Sequence, residues 1–188
     1  MRNNKVQIMA ISALLCAIGI VIPMFAPKIM LEPVSYTLAS HVPIFIAMFI
    51  SPMVAISVAI ITGFGFLFAG FPIVIVFRAL THVVFATIGA FILSKYKTTL
   101  QSKKKTVLFA FLVSVIHAIG EVIVVTVFYF GNNVTSGFYD KGYLVTVIGF
   151  VGIGTIIHSM IDFGIATVVW KPLSAVVNIP VSAKFKKA

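Results

Sequence analysis

The stretch VLFAFLVSVIHAIGEVIVVTVFYF, residues 107–130, decides the class of this protein. Only two of its 24 residues, His117 and Glu121, carry an imidazole or a carboxylate, and none is a lysine or arginine. About 20 apolar residues are enough for a helix to cross the hydrocarbon core of a bilayer. The stretch therefore predicts a transmembrane helix. A step of four residues places His117 and Glu121 on one face of that helix, about one turn apart.

Two other apolar stretches carry ionisable pairs with the same spacing: Arg78 with His82, and His158 with Asp162. Insertion scales put the cost of a charged side chain at the bilayer centre at about 2.5–3.5 kcal/mol, so such residues normally face the protein interior or a wet cavity. Three faces of this kind predict a polar pocket inside the protein.

Composition extends the membrane assignment to the whole chain. Of 188 residues, 61% are hydrophobic and 10% are charged, which is more apolar than a soluble domain of this size. We expect an all-α integral membrane protein with six transmembrane helices in one bundle, and a single domain over residues 1–188. The six predicted spans are residues 6–26, 38–50, 53–68, 73–93, 107–130 and 144–170.

The net charge of +10 is distributed in the way that fixes the topology of a membrane protein. If both termini are cytoplasmic, that face holds eleven lysine and arginine residues and the outer face two. This positive-inside pattern predicts cytoplasmic N- and C-termini in a multi-pass protein of the plasma membrane. The basic face then meets anionic membrane lipid, and no nucleic acid is needed to explain the charge. The eleven are Arg2, Lys5, Lys95, Lys97, Lys103, Lys104, Lys105, Lys171, Lys184, Lys186 and Lys187, and the two are Lys28 and Lys141.

With this topology, Arg78, His82 and Glu121 lie in the outer halves of their helices, and His117 lies at the boundary. We interpret them as a substrate-binding pocket, in which Arg78 takes an anionic or acceptor group and Glu121 and a histidine take donor groups. The alternative is an Arg78–Glu121 ion pair that only holds the bundle together.

The connection between the first two spans is unusually polar and is expected to complete the site. It contains Glu32, Tyr36 and His41, and we expect it to close over the pocket as a lid. His158 and Asp162, by contrast, are expected to lie too deep and to tie the sixth span into the bundle.

Sequence motifs for other kinds of protein are missing. The chain has no GxxxxGK[ST] loop, so it does not hydrolyse ATP itself. It has no HExxH motif, no helix with two histidines and only one cysteine, Cys16, so we expect no metal, no cofactor and no catalytic residue. Two classes stay open: a proton-coupled secondary transporter, and an intramembrane metal hydrolase with Glu121 as base.

Ala10, Ala13 and Ala17 form a stripe of small residues on the first span, a pattern that lets another helix approach closely. With the chain length, the six spans, the cytoplasmic termini and the polar loop, this stripe resembles the substrate-binding S component of an energy-coupling factor (ECF) vitamin transporter. The segment EPVSYTLASHVP, residues 32–43, and the run FRALTH, residues 77–82, are most similar to the niacin-specific branch.

The resemblance implies a binding protein without enzymatic activity. It would capture a small vitamin in an outer pocket and reorient while attached to a transmembrane coupling subunit, driven by two cytoplasmic ATPase subunits. The alanine stripe would be the docking face for the coupling subunit. Niacin is favoured because its carboxylate suits the one intramembrane arginine, Arg78. Pyridoxine or hydroxymethylpyrimidine, bound by Glu121 and the histidines, is the alternative.

Overall fold

The computed structural model of the protein describes residues 2–31, 34–176 and 179–185. Glu32, one of the predicted site residues, lies outside the described residues. A π-helical segment, Leu144–Ile153, leads directly into the last helix, and an antiparallel hairpin of two short strands joins the first two helices. The elements are α1 (Arg2–Phe25), β1 (Lys28–Leu31), β2 (Val34–Thr37), α2 (Val42–Ile50), α3 (Pro52–Phe68), α4 (Ile73–Lys95), α5 (Lys103–Phe130), α6 (Gly137–Asp140) and α7 (Gly154–Val176).

Helices that can cross a membrane dominate the described part of the chain. Four segments are long and apolar enough to do so: Asn4–Phe25, Ile73–Lys95, Lys103–Phe130 and Leu144–Val176. They confirm a helical, multi-pass membrane architecture. α3 is shorter, with 17 residues, and α2 has nine, so the count of six spans stays a prediction, as does the cytoplasmic location of the termini.

The centre of the bundle is α2, whose nine residues are all buried. Its sequence, VPIFIAMFI, is apolar on every side, which is typical of a helix surrounded by other helices. The carbonyl of Ile50 accepts a 3.0 Å hydrogen bond from the backbone of Ser182, and the backbone N–H of Lys184 donates to Lys97 at 3.3 Å. The C-terminal end of α2, the C-terminal segment of the chain and the α4–α5 connection therefore lie next to one another. We call this the basic end of the bundle.

The short length of α2 determines where the preceding loop lies. A helix of nine residues is about 13.5 Å long, less than half of the ~30 Å hydrocarbon core. Because α2 ends at the basic end, it must begin near the middle of the bundle. The segment that leads into it, residues 34–41, therefore descends into the protein.

Packed aromatic rings fill the bundle between the start of α2 and the basic end. The ring of Phe45 contacts Phe163 edge to face at 5.2 Å between centroids and Phe85 at 5.7 Å. Farther along α2, the rings of Phe49 and Trp170 lie 6.2 Å apart. These packed rings form the floor of the space above them.

Candidate ligand-binding site

A cavity of about 330 Å³ opens at the end of the bundle opposite the basic end. Its walls come from the hairpin and from α4, α5 and α7, and the connections that follow α1, α3 and α5 surround its opening. The structure brings six of the predicted site residues together in its lining. They are Tyr36, His41, Arg78, His82, His117 and Glu121.

The Arg78–Glu121 pair links α4 to α5 at the side of this cavity. Arg78 Nε donates to Glu121 Oε2 at 2.5 Å, and Arg78 Nη2 contacts the same oxygen. Glu121 is 3% exposed, whereas the Arg78 side chain is 19% exposed. An arginine has five N–H donors, and Nη1 takes no part in these contacts with Glu121, while Arg78 lines the cavity. The ion pair and the ligand pocket are thus compatible.

All four histidines of the chain meet in the cavity. The ring centroid of His41 lies 4.9 Å from His82, 4.6 Å from His117 and 5.0 Å from His158. The rings of His82 and His117 are 4.7 Å apart. Below them, Phe85 contacts His117 at 4.5 Å, so the aromatic floor is also the bottom of the histidine cluster.

The expectation that His158 lies too deep is wrong, since His158 lines the cavity. Two features place it at a different depth from the one expected for a continuous α-helix that begins at Leu144. The chain reaches it through the π-helical segment, whose turns are wider than those of an α-helix. In addition, the segment 34–41 descends to its level, and Ser40 Oγ lies 3.1 Å from His158 Nε2. The four-residue spacing identified this residue, but its depth was not evident from the sequence.

Asp162 is fully buried and holds the segment 34–41 in place. Its carboxylate accepts hydrogen bonds from the backbone N–H of Ala39 at 2.8 Å and of His41 at 2.9 Å. It also lies 3.0 Å from His41 Nδ1. The φ angle of Ala39 is +65°, a conformation that costs a non-glycine residue energy. Asp162 therefore connects α7 to the rest of the bundle, and its partner is the loop before α2.

We expect Asp162→Ala to destabilise the protein. It leaves two backbone N–H groups, those of buried His41 and half-buried Ala39, without their acceptor. At about 1–3 kcal/mol each, the free energy of unfolding should fall by about 2–6 kcal/mol. Denaturant unfolding in detergent micelles measures this change. Asp140→Ala is the matched control, because Asp140 is exposed on α6 and should leave the stability unchanged. Equal stability of the two variants would show that the carboxylate does not hold the loop.

Tyr36 joins the hairpin to the π-helical segment. Its hydroxyl donates to the carbonyl of Phe150, and its ring lies 5.2 Å from that of His158. Burial raises the pKa of the Tyr36 hydroxyl to about 12, so this group stays neutral at physiological pH. β2 alternates between inward and outward residues, with Val34 and Tyr36 buried and Ser35 exposed. The strand thus forms one wall of the cavity.

Comparison with known proteins places the chain in a family. It is 38% identical over 188 residues to the niacin transporter NiaX of Lactococcus lactis subsp. cremoris (strain MG1363), a match that covers 98% of this chain and 82% of that protein. No family model matches the chain, and no solved structure matches it. The relative and the four apolar helices together identify a multi-pass plasma-membrane protein of transport, rather than an enzyme. In agreement with the niacin-specific resemblance of its sequence, the chain belongs to the family of the niacin transporter NiaX.

Proposed function

We propose that this protein is the niacin-binding S component of an ECF importer. It binds niacin from outside the cell in the cavity between α4, α5 and α7, and separate coupling and ATPase subunits drive uptake. The observation that carries this proposal is Arg78, an arginine inside the bundle that lines the cavity. The niacin transporter NiaX is the relative that points to niacin as the ligand.

The cavity has the size and the chemistry for a small aromatic acid. Its volume of about 330 Å³ lies at the lower end of the range for small-molecule sites. The niacin carboxylate binds Arg78, where a charge-assisted hydrogen bond is stronger than a neutral one. Lys28, which also lines the cavity near its opening, adds positive charge that attracts an anion.

The pyridine nitrogen of niacin faces the histidine cluster in this proposal. Neither ring nitrogen of His82 has a hydrogen bond to the described residues, and Glu121 Oε1 lies 3.5 Å from His82 Nε2. Buried polar atoms are normally hydrogen-bonded, so the free N–H of His82 is available to donate to a ligand. A carboxylate on Arg78 and a ring nitrogen at His82 fix both ends of the substrate.

The segment 34–41 closes the site in this proposal, with Tyr36 as its inner contact. A Cβ atom at Gly154 would overlap the Tyr36 hydroxyl. Gly154→Ala should therefore displace Tyr36 from the Phe150 carbonyl and weaken niacin binding by about fivefold to tenfold, or about 1–1.4 kcal/mol. Isothermal titration calorimetry on the purified variant measures the change.

Gly164→Ala is the matched control for this prediction. Gly164 is on the same helix, and a Cβ atom there meets no other atom within 4 Å, so its affinity should equal that of the wild type. Unchanged affinity in Gly154→Ala would exclude Tyr36 from the closed site.

Docking of the coupling subunit is assigned to α1. Ala10, Ala13 and Ala17 are all exposed on this helix. In its most apolar stretch, only 22% of the residues are buried. An exposed stripe of small residues on a transmembrane helix allows a second helix to pack closely. The same face contacts membrane lipid in the free subunit.

Uptake of labelled niacin tests the proposed function. Host cells without niacin transport are given this protein alone, the ECF coupling and ATPase subunits alone, or both together. The proposal predicts uptake only when both are present, and co-purification of the subunits. Uptake by this protein alone that collapses with the proton gradient would instead identify a proton-coupled secondary transporter.

A further inference from the structure

We propose that His41, His82 and His117 form a binding site for a divalent transition-metal ion, with Zn²⁺ as the expected occupant. All three residues are buried, and one ring nitrogen from each lies within 4.8 Å of the others. Imidazole nitrogen is a preferred ligand of zinc. From the sequence we expected no metal, because no single helix carries two histidines. The structure takes one ligand from the start of α2, one from α4 and one from α5.

In His41 and His117, hydrogen bonds occupy Nδ1 and leave Nε2 to bind a metal. His41 Nδ1 lies 3.0 Å from the Asp162 carboxylate, and His117 Nδ1 lies 3.3 Å from Ser159 Oγ. In metal sites, the second nitrogen of each histidine normally donates to a carboxylate or another acceptor, which fixes the ring and its tautomer. The Nε2 atoms of His41 and His117 are then the metal ligands.

His82 supplies the third ligand and the strongest indication of a missing partner. Both of its ring nitrogens are buried without a hydrogen bond to the described residues, and so is His117 Nε2. Glu121 Oε1 is the nearest carboxylate oxygen, 3.5 Å from Nε2 of each histidine. Unsatisfied buried polar groups are uncommon and costly. A metal ion between His82 and His117 would bind two of these three nitrogens.

The geometry requires only movement of side chains. Zinc–nitrogen bonds of about 2.0–2.1 Å in a tetrahedron place the ligand atoms ~3.3 Å apart. The three nitrogens, now within 4.8 Å of one another, must approach by up to about 1.5 Å, and the rings line an open cavity. Three protein ligands leave a fourth position for water.

The charged groups nearest the cluster leave room for a cation. Arg78 is paired with Glu121, and the buried Asp162 carboxylate lies beside His41, while Lys28 lines the cavity near its opening. His41, His158 and Asp162 form a second group within 4.8 Å. We favour the first group because the Asp162 oxygens already accept hydrogen bonds from two backbone N–H groups.

Cobalt titration of the full-length protein tests the site with metal alone. The protein is purified in detergent without a polyhistidine tag, stripped with a chelator and titrated with Co²⁺, whose visible absorption reports four-coordinate binding. We expect one Co²⁺ per chain, displaced by Zn²⁺. His82→Gln and His117→Gln should each weaken binding at least about tenfold, whereas His158→Gln should keep wild-type affinity.

Either of two results would overturn the site: no saturable Co²⁺ binding to the wild type, or a loss of Co²⁺ affinity in His158→Gln with none in His82→Gln. A second readout covers variants that fold poorly, since Zn²⁺ should raise the melting temperature of the wild type but not of either variant. Niacin titration of the metal-free protein is a separate measurement. It decides the proposed function independently, because the metal experiments contain no niacin.

Discussion

Arg78→Ala is expected to bind niacin at least about tenfold more weakly than the wild type. The substitution removes the charged donor that the proposal gives to the substrate carboxylate, and one hydrogen bond to a charged group contributes about 1.5–3 kcal/mol. Since 1.4 kcal/mol corresponds to a tenfold change in affinity, the expected loss lies between about tenfold and 150-fold. Isothermal titration calorimetry in detergent provides the measurement.

The same substitution leaves Glu121 buried without its partner, which is itself destabilising by about 3–5 kcal/mol. A double variant, Arg78→Met with Glu121→Gln, removes both charges and so separates folding from binding. We expect the double variant to recover much of the stability but not the affinity. Recovery of niacin binding in the double variant would show that the arginine is only one half of a structural ion pair.

Ala13→Trp combined with Ala17→Trp is expected to reduce niacin uptake to background while leaving niacin affinity unchanged. Two indole side chains on the exposed face of α1 would prevent the close approach of a partner helix. The cavity lies elsewhere, with no lining residue at either position. Transport of labelled niacin in cells that contain the coupling and ATPase subunits measures the first effect, and calorimetry the second.

Leu14→Trp combined with Ile18→Trp is the control for bulk on the same helix. Both are exposed hydrophobic residues of α1, 59% and 37% respectively, and each is one position, or about 100°, around the helix from Ala13 and Ala17. Uptake should persist in this control, because the docking face is defined by the alanines. Normal uptake by the alanine double variant would remove α1 from the docking face.

Much of the candidate site was predictable because a membrane makes ionisable residues conspicuous. Arg78, His82, His117 and Glu121 stand out in apolar stretches, and the four-residue spacing fixes the face on which each lies. Three helix faces that carry such groups have to turn inward. The convergence of these four residues on one cavity therefore follows from local sequence and the cost of charge in lipid.

The depth of each residue was less predictable, because it depends on packing between elements. The predicted span 38–50 became a helix of nine residues, Val42–Ile50, which brings His41 down to the level of His158. The π-helical segment Leu144–Ile153 changes the register of the last span. Neither feature has a distinct local signal, since apolar residues dominate both segments. The hairpin was missed because each strand is only four residues long.

Binding of niacin to the purified protein tests the central claim most directly. Calorimetric titrations compare niacin with pyridoxine and hydroxymethylpyrimidine, on wild-type protein without any coupling subunit. We predict saturable binding of one niacin per chain, and no detectable heat from the two compounds that lack a carboxylate. Binding of pyridoxine or hydroxymethylpyrimidine without binding of niacin would contradict the account.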